Sequence, residues 1–128
     1  MNSWDLHILH VYFQLITNGQ KRLDLRVPDP EDPKKAMNQM QPGDLVTFTP
    51  VLDYSFRLVP AASSLRCEVE VVNQFNTIEA ALQKFDYQQF NPLVESQEEY
   101  INTVYSFPGY LERINDAGVV IFQFKLIV

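Results

Sequence analysis

Apolar and polar positions change their spacing several times along the chain, and each change marks an element. Leu6-His7-Ile8 alternates with period two, the mark of a short strand. From Leu9 the apolar residues Leu9, Tyr12, Phe13 and Ile16 fall three and four apart, the stripe of an amphipathic helix. Thr17-Asn18-Gly19 ends that helix, because glycine takes positive φ at a helix C-terminus without a Cβ penalty. Period two returns over 21–27, which predicts a strand with Leu23 and Leu25 toward a core and Arg22, Asp24 and Arg26 toward solvent. Three prolines between Pro28 and Pro33 then exclude both helix interior and sheet ladder. One or two helical turns over 34–40 lead into Gln41-Pro42-Gly43-Asp44, a turn signature.

Leu45 to Thr49 predicts the next strand, ended by Pro50, and 54–59 alternates as another. The β-branched run Leu65 to Phe75 predicts a long strand with Cys67, Val69 and Val71 on one face and Arg66, Glu68, Glu70 and Val72 on the other. Thr77 serves as N-cap for a helix over 78–85. Ser96-Gln97-Glu98-Glu99 is a capping box and opens a helix from Gln97 to Tyr105 or Ser106. Phe107-Pro108-Gly109 breaks it, Asp116-Ala117-Gly118 turns, and the apolar run 119–128 suits a buried last strand. Five or six strands with about three short helices give an α+β domain, a small mixed or antiparallel β-barrel.

Composition narrows the partners. A chain of 128 residues fits a single domain, 1–128, and 46% hydrophobic content with nine Phe and six Tyr is that of a folded protein. The lone Cys67 allows no intramolecular disulfide and no cysteine-based zinc site, and is expected as a small buried side chain. There is no signal-like start and no run of about 18 apolar residues, so the expectation is a cytoplasmic location with no membrane partner. A net charge of −6 argues against broad binding to a phosphate backbone, leaving only a local patch for nucleic acid: Lys21, Arg22 and Arg26, with Lys34 and Lys35 nearby in sequence. Four glycines leave no phosphate loop or dinucleotide fingerprint. His7 and His10 straddle a strand-to-helix junction with no third ligand near, so neither a metal nor a cofactor is expected.

The spelling Gly19-x-Lys21-x-x-Asp24-x-Arg26 resembles the Gly-x-Lys-x-x-Glu-x-Arg of the ASCH domains, members of the PUA-like barrel class, with aspartate in place of glutamate. The likeness extends through the helix ending in glycine, Pro42-Gly43-Asp44 leading into a strand, the long central strand, the Glu98-Glu99 helix with its downstream tyrosine, and Gly118-Val119-Val120 opening the last strand. It spans roughly 7 to 126 and is weakest at 28–33 and 85–95. The resemblance implies a barrel with a cleft beside the first helix and the motif strand that takes RNA or a nucleotide-like ligand. Lys21, Asp24 and Arg26 would edge that cleft, Arg26 as a bidentate donor and Lys21 as a point charge. Tyr100 and Tyr105 are candidate stacking platforms, with helix core as the competing role.

Some members of the resembled family are amidohydrolases that remove the acetyl group of N4-acetylcytidine, which makes Lys21 and Asp24 candidate catalytic residues. Asp24 stands where those relatives carry threonine, and Glu95, Glu98 and Glu99 are the candidates for their glutamate. A carboxylate beside a lysine favours the ammonium form, against nucleophilic attack. Strict alternation also puts Lys21 and Asp24 on opposite strand faces unless a bulge follows Gly19. Two further readings are a protein-interaction module that works through its acidic surface, and Asp24–Arg26 as a surface ion pair worth about 0–1 kcal/mol.

Overall fold

The computed structural model describes residues 2–53, 55–60 and 62–127. In chain order the described residues form β1 (Ser3–Leu9), α1 (His10–Thr17), β2 (Leu23–Arg26), β3 (Leu45–Val51), β4 (Leu65–Phe75), α2 (Ile78–Leu82), α3 (Gln97–Tyr105), α4 (Tyr110–Ala117) and β5 (Val119–Leu126). Short 3-10 turns sit at Met37–Gln39 and Tyr87–Gln89. The five strands make one sheet in the order β1-β3-β4-β5-β2, curled into a half-barrel, so the fold is α+β and of the small mixed-barrel kind. β1 runs parallel to β3, and every other pairing is antiparallel.

The sheet is covered on both faces. Trp4, Leu6, Ile8, Val46, Phe48, Cys67, Val69, Phe122 and Phe124 fill the concave side, closed by Ile16 of α1. On the convex side Val119 and Ile121 meet Leu23 and Val27 together with Ile78, Ala81, Tyr100, Val104 and Ile114 of the helices. Burial on both faces is why the start of β5 reads as an unbroken apolar run. Burying Cys67 pushes its thiol up to about 11, so it stays a neutral packing group.

Several elements depart from the sequence expectation for identifiable reasons. β1 starts at Ser3, three residues before the expected strand, because Asp44 anchors its beginning: the carboxylate accepts from Asn2 N, Trp4 Nε1 and Gln41 N, each at 3.0 Å. Burial pushes the Asp44 pKa up, but these donors outweigh it and hold the carboxyl below the usual range. β4 has the expected ends, yet Val71 is 44% exposed, because a bulge between Val69 and Val71 shifts the register and turns Val72 inward instead. The strand expected over 54–59 is absent from the described part, where a single bridge pairs Val51 with Leu58; Tyr54 lies outside the described residues. α2 stops at Leu82 rather than at 85. α4, entered from Gly109 at φ 77°, is a further helix, with Tyr110, Leu111, Ile114 and Ala117 at helical spacing.

Gly118 turns α4 into β5 at φ 71°, and a Cβ there would overlap the carbonyl oxygen of Phe75. Gly118→Ala therefore combines left-handed strain with a backbone clash and is predicted to destabilise the fold by about 2–4 kcal/mol, read from the urea unfolding midpoint.

Candidate functional site

In a sheet of this order β1 and β2 are the two outer strands, and the charged motif lies where they face each other. α1 ends as expected: Asn18 N and Gly19 N donate back to Gln14 O and Ile16 O, Gly19 takes φ 84°, and Lys21 N donates to Leu15 O. That turn delivers Lys21 just ahead of β2, outside the strand's alternation. Lys21 Nζ then donates to Leu23 O and Phe90 O, both at 2.7 Å, and lies 3.3 Å from Asp24 Oδ1. Asp24 Oδ2 accepts from Arg26 Nε at 2.7 Å, and Arg26 Nη2 reaches across to His7 O of β1 at 3.1 Å. Two cations thus share one carboxylate, and together they tie β2 to β1 and to the chain at Phe90.

Two sequence expectations are corrected here. Lys21 and Asp24 are in contact, not on opposite faces, because β2 begins at Leu23 and the preceding turn aims Lys21 forward. Asp24 and Arg26 do not form a solvated row. They oppose Phe122 and Val120 across the ladder and so point to the concave side, with Lys21 only 3% and Asp24 only 7% exposed. The convex face of β2 belongs to Leu23 and Leu25, which pack under the helices. Arg22, Lys34 and Lys35 remain exposed, outside this network.

Burial is the largest single influence on all three groups; the ion pairs together outweigh it at Asp24 and Arg26, and it prevails at Lys21. Burial pushes the Asp24 pKa up, but the charges of Arg26 and Lys21 outweigh it and hold the carboxyl below its usual range. Burial pushes Arg26 down, and Asp24 more than restores it. Burial lowers the Lys21 pKa below the ordinary lysine value, with Asp24 opposing and Arg26 assisting. The three N–H of the ammonium match its three oxygen neighbours, Leu23 O, Phe90 O and Asp24 Oδ1.

Neither tyrosine is an open platform. Tyr100 is buried, stacked on Phe90 with ring centres 5.8 Å apart, and burial followed by the Asp24 charge raises its phenol far above the usual value. Tyr105 packs against the helix-side core, and its hydroxyl lies 3.4 Å from Glu79 Oε1. The surroundings include groups the sequence did not flag. Asn91 Nδ2 donates to the Tyr12 hydroxyl at 2.9 Å and ties the 90–93 turn to α1. Arg113 of α4 covers the Tyr110 ring at 4.8 Å and donates from Nη2 to Val27 O at 3.0 Å. The only advance signal for Asn91 is its place before Pro92, a turn-forming pair.

His7 and His10 do straddle the junction of β1 and α1. Among the described residues no group of three or more His, Cys, Asp or Glu side chains is placed to hold a metal, and no helix is long and apolar enough to cross a membrane. Glu98 and Glu99 line a shallow depression along α3 that includes none of Lys21, Asp24 and Arg26.

No protein-family model matches the chain, and no curated protein does. Two solved structures share its fold. The crystal structure of hypothetical protein PH0355 superposes with a TM-score of 0.75 at 23% identity, over 98% of this chain and 99% of that one. The solution NMR structure of protein PF0455 from Pyrococcus furiosus gives a TM-score of 0.67 at 22% identity, over 98% of this chain and 97% of that one. At such identities the likeness shows the fold alone.

Asp24→Asn leaves two buried cations without their carboxylate and is predicted to destabilise the fold by about 3–5 kcal/mol in urea. Because the folded-state pKa of Asp24 is lowered, its contribution is complete above the unfolded value of about 3.9 and is lost as pH falls through the folded value. The amide removes that contribution at every pH, so wild type and variant should converge in stability on acidification.

Proposed function

We propose that the chain is an ASCH-type binding module of the PUA-like class that takes RNA or a nucleotide-like ligand at the seam between β1 and β2. The observation that carries this reading is the unbalanced charge: Lys21 and Arg26 share Asp24 alone, in a chain whose net charge is −6. A seam with only structural duties is served as well or better by apolar packing, because desolvating ions offsets much of their attraction. Roles divide by what each group has left to give. The N–H groups of Lys21 already have acceptors within the protein, so it holds the seam together. Arg26 Nη1 makes no hydrogen bond among the described residues and the side chain keeps 18% of its surface exposed, so Nη1 is the donor that meets an anionic or carbonyl oxygen.

A second reading, an amidohydrolase acting on N4-acetylcytidine, draws support from the 3.3 Å contact of Lys21 with Asp24 and from the lowered Lys21 pKa. Against it stands proton inventory. A neutral amine has two N–H and a lone pair, so nucleophilic Lys21 would turn that lone pair on one of three oxygens and lose a bond. The binding reading is therefore favoured.

Arg26→Ala is predicted to weaken binding of cytidine 5′-monophosphate or a short single-stranded RNA at least tenfold with the circular dichroism spectrum retained, as read by titration calorimetry; unchanged affinity rejects the reading. With one arginine at the ligand, the slope of log affinity against log salt should be near −1, about 0.7–0.9 per phosphate contact. Incubation with N4-acetylcytidine should yield no cytidine by chromatography. Conversion by the wild type and not by Lys21→Ala would replace binding with hydrolysis.

A further inference from the structure

Resting on the binding reading above, we infer that Phe56 is the stacking platform for the ligand's base. The turn between β3 and the bridge at Leu58 holds Phe56 at φ 61°, the one non-glycine residue with positive φ among the described residues. For a bulky side chain that conformation is strained, and burial does not offset it, since Phe56 is 59% exposed. The strain is nonetheless enforced. Asp53 Oδ2 accepts from Arg57 Nε at 2.7 Å, Asp53 Oδ1 accepts from Ser55 N at 3.0 Å, Phe56 N donates to Asp53 O at 3.0 Å, and Leu52 N donates to Arg57 O at 2.7 Å. These bonds fix the turn and present the ring.

Its position joins it to the site. The Phe56 ring lies 4.9 Å from the His7 ring, tilted by 38°, and the carbonyl of that same His7 accepts from Arg26. His7 therefore touches both groups: its ring contacts Phe56, and its backbone carbonyl accepts from Arg26 Nη2 at the strand edge. A ligand with a planar aromatic base at one end and an anionic group at the other would lie across that edge, the base on Phe56 and the anion at Arg26. Every nucleobase offers a π-face, so the platform selects for a base rather than for a particular one.

Calorimetric titration of wild type, Phe56→Asn and Phe56→Trp with cytidine 5′-monophosphate and with ribose 5-phosphate tests this. Asparagine tolerates positive φ and removes the ring, so Phe56→Asn should lose about 5- to 100-fold in affinity for the nucleotide, leave ribose 5-phosphate binding unchanged, and melt at the wild-type temperature or a few degrees above it. Phe56→Trp should bind the nucleotide at least as well as wild type. Equal affinities of wild type and Phe56→Asn for the nucleotide, with Arg26→Ala still defective, would overturn the platform and leave the binding reading standing. A lowered melting temperature with parallel loss of both ligands would also overturn it, since the ring would then be structural. Absence of binding by wild type to either ligand overturns both readings together.

Discussion

The architecture depends on one buried carboxylate. A five-stranded sheet that curls without closing leaves two unpaired edges facing each other, and here side chains hold that seam instead of a fifth ladder. Asp24 is the hub: remove it and Lys21 and Arg26 are two like charges without a carboxylate, the first buried and the second partly so. Their desolvation is large, and only short contacts to a full carboxylate and to the carbonyls of Leu23, Phe90 and His7 offset it. The helices depend on the same point, because the Phe90 carbonyl belongs to the connection between α2 and α3 and is fixed by Lys21.

Such a seam differs from an apolar one in what it can exchange with a ligand. Apolar closure offers shape alone. In the proposed role, a charged closure with a partly exposed Arg26 offers direction and sign while Asp24 and the His7 carbonyl keep the guanidinium in place. Preorganisation of this kind reduces the ordering that binding would otherwise require.

Much of the fold was legible because local signals agreed with it. The ends of β4 are bracketed by turn residues, and the Ser96 N-cap gives the start of α3 to the residue, although the capping box stays half made because Glu99 Oε2 accepts from Glu95 N and not from Ser96 N. The faces of β4 were not legible past Glu70, since a bulge leaves no mark in an alternating run of valine and glutamate. α4 carries its apolar residues at helical spacing, but it is short, lies between two glycines, and its last turn overlaps the Asp116-Ala117-Gly118 turn signature. For the site, the motif named Lys21, Asp24 and Arg26 but misjudged their direction: alternation says which residues share a face, and only the sheet order says which face is covered. The remaining partners were beyond any sequence argument. His7, Leu23 and Phe90 contribute backbone oxygens, which carry no trace of residue type, and the role proposed for Phe56 rests on a backbone angle and a ring contact that no local pattern encodes.

The register of β2 against β5 has a kinetic meaning. Leu23 pairs with Gln123 and Arg26 with Val120, so the strand bearing the charges waits for a partner at the far end of the described chain. Contacts so distant in sequence slow folding, and the parallel join of β1 to β3 adds another such closure. Burial of Lys21, Asp24 and Arg26 requires β2 to be docked on β5, so a chain in which that ladder is open carries these charges hydrated, and charges on an unpaired strand disfavour edge-to-edge association.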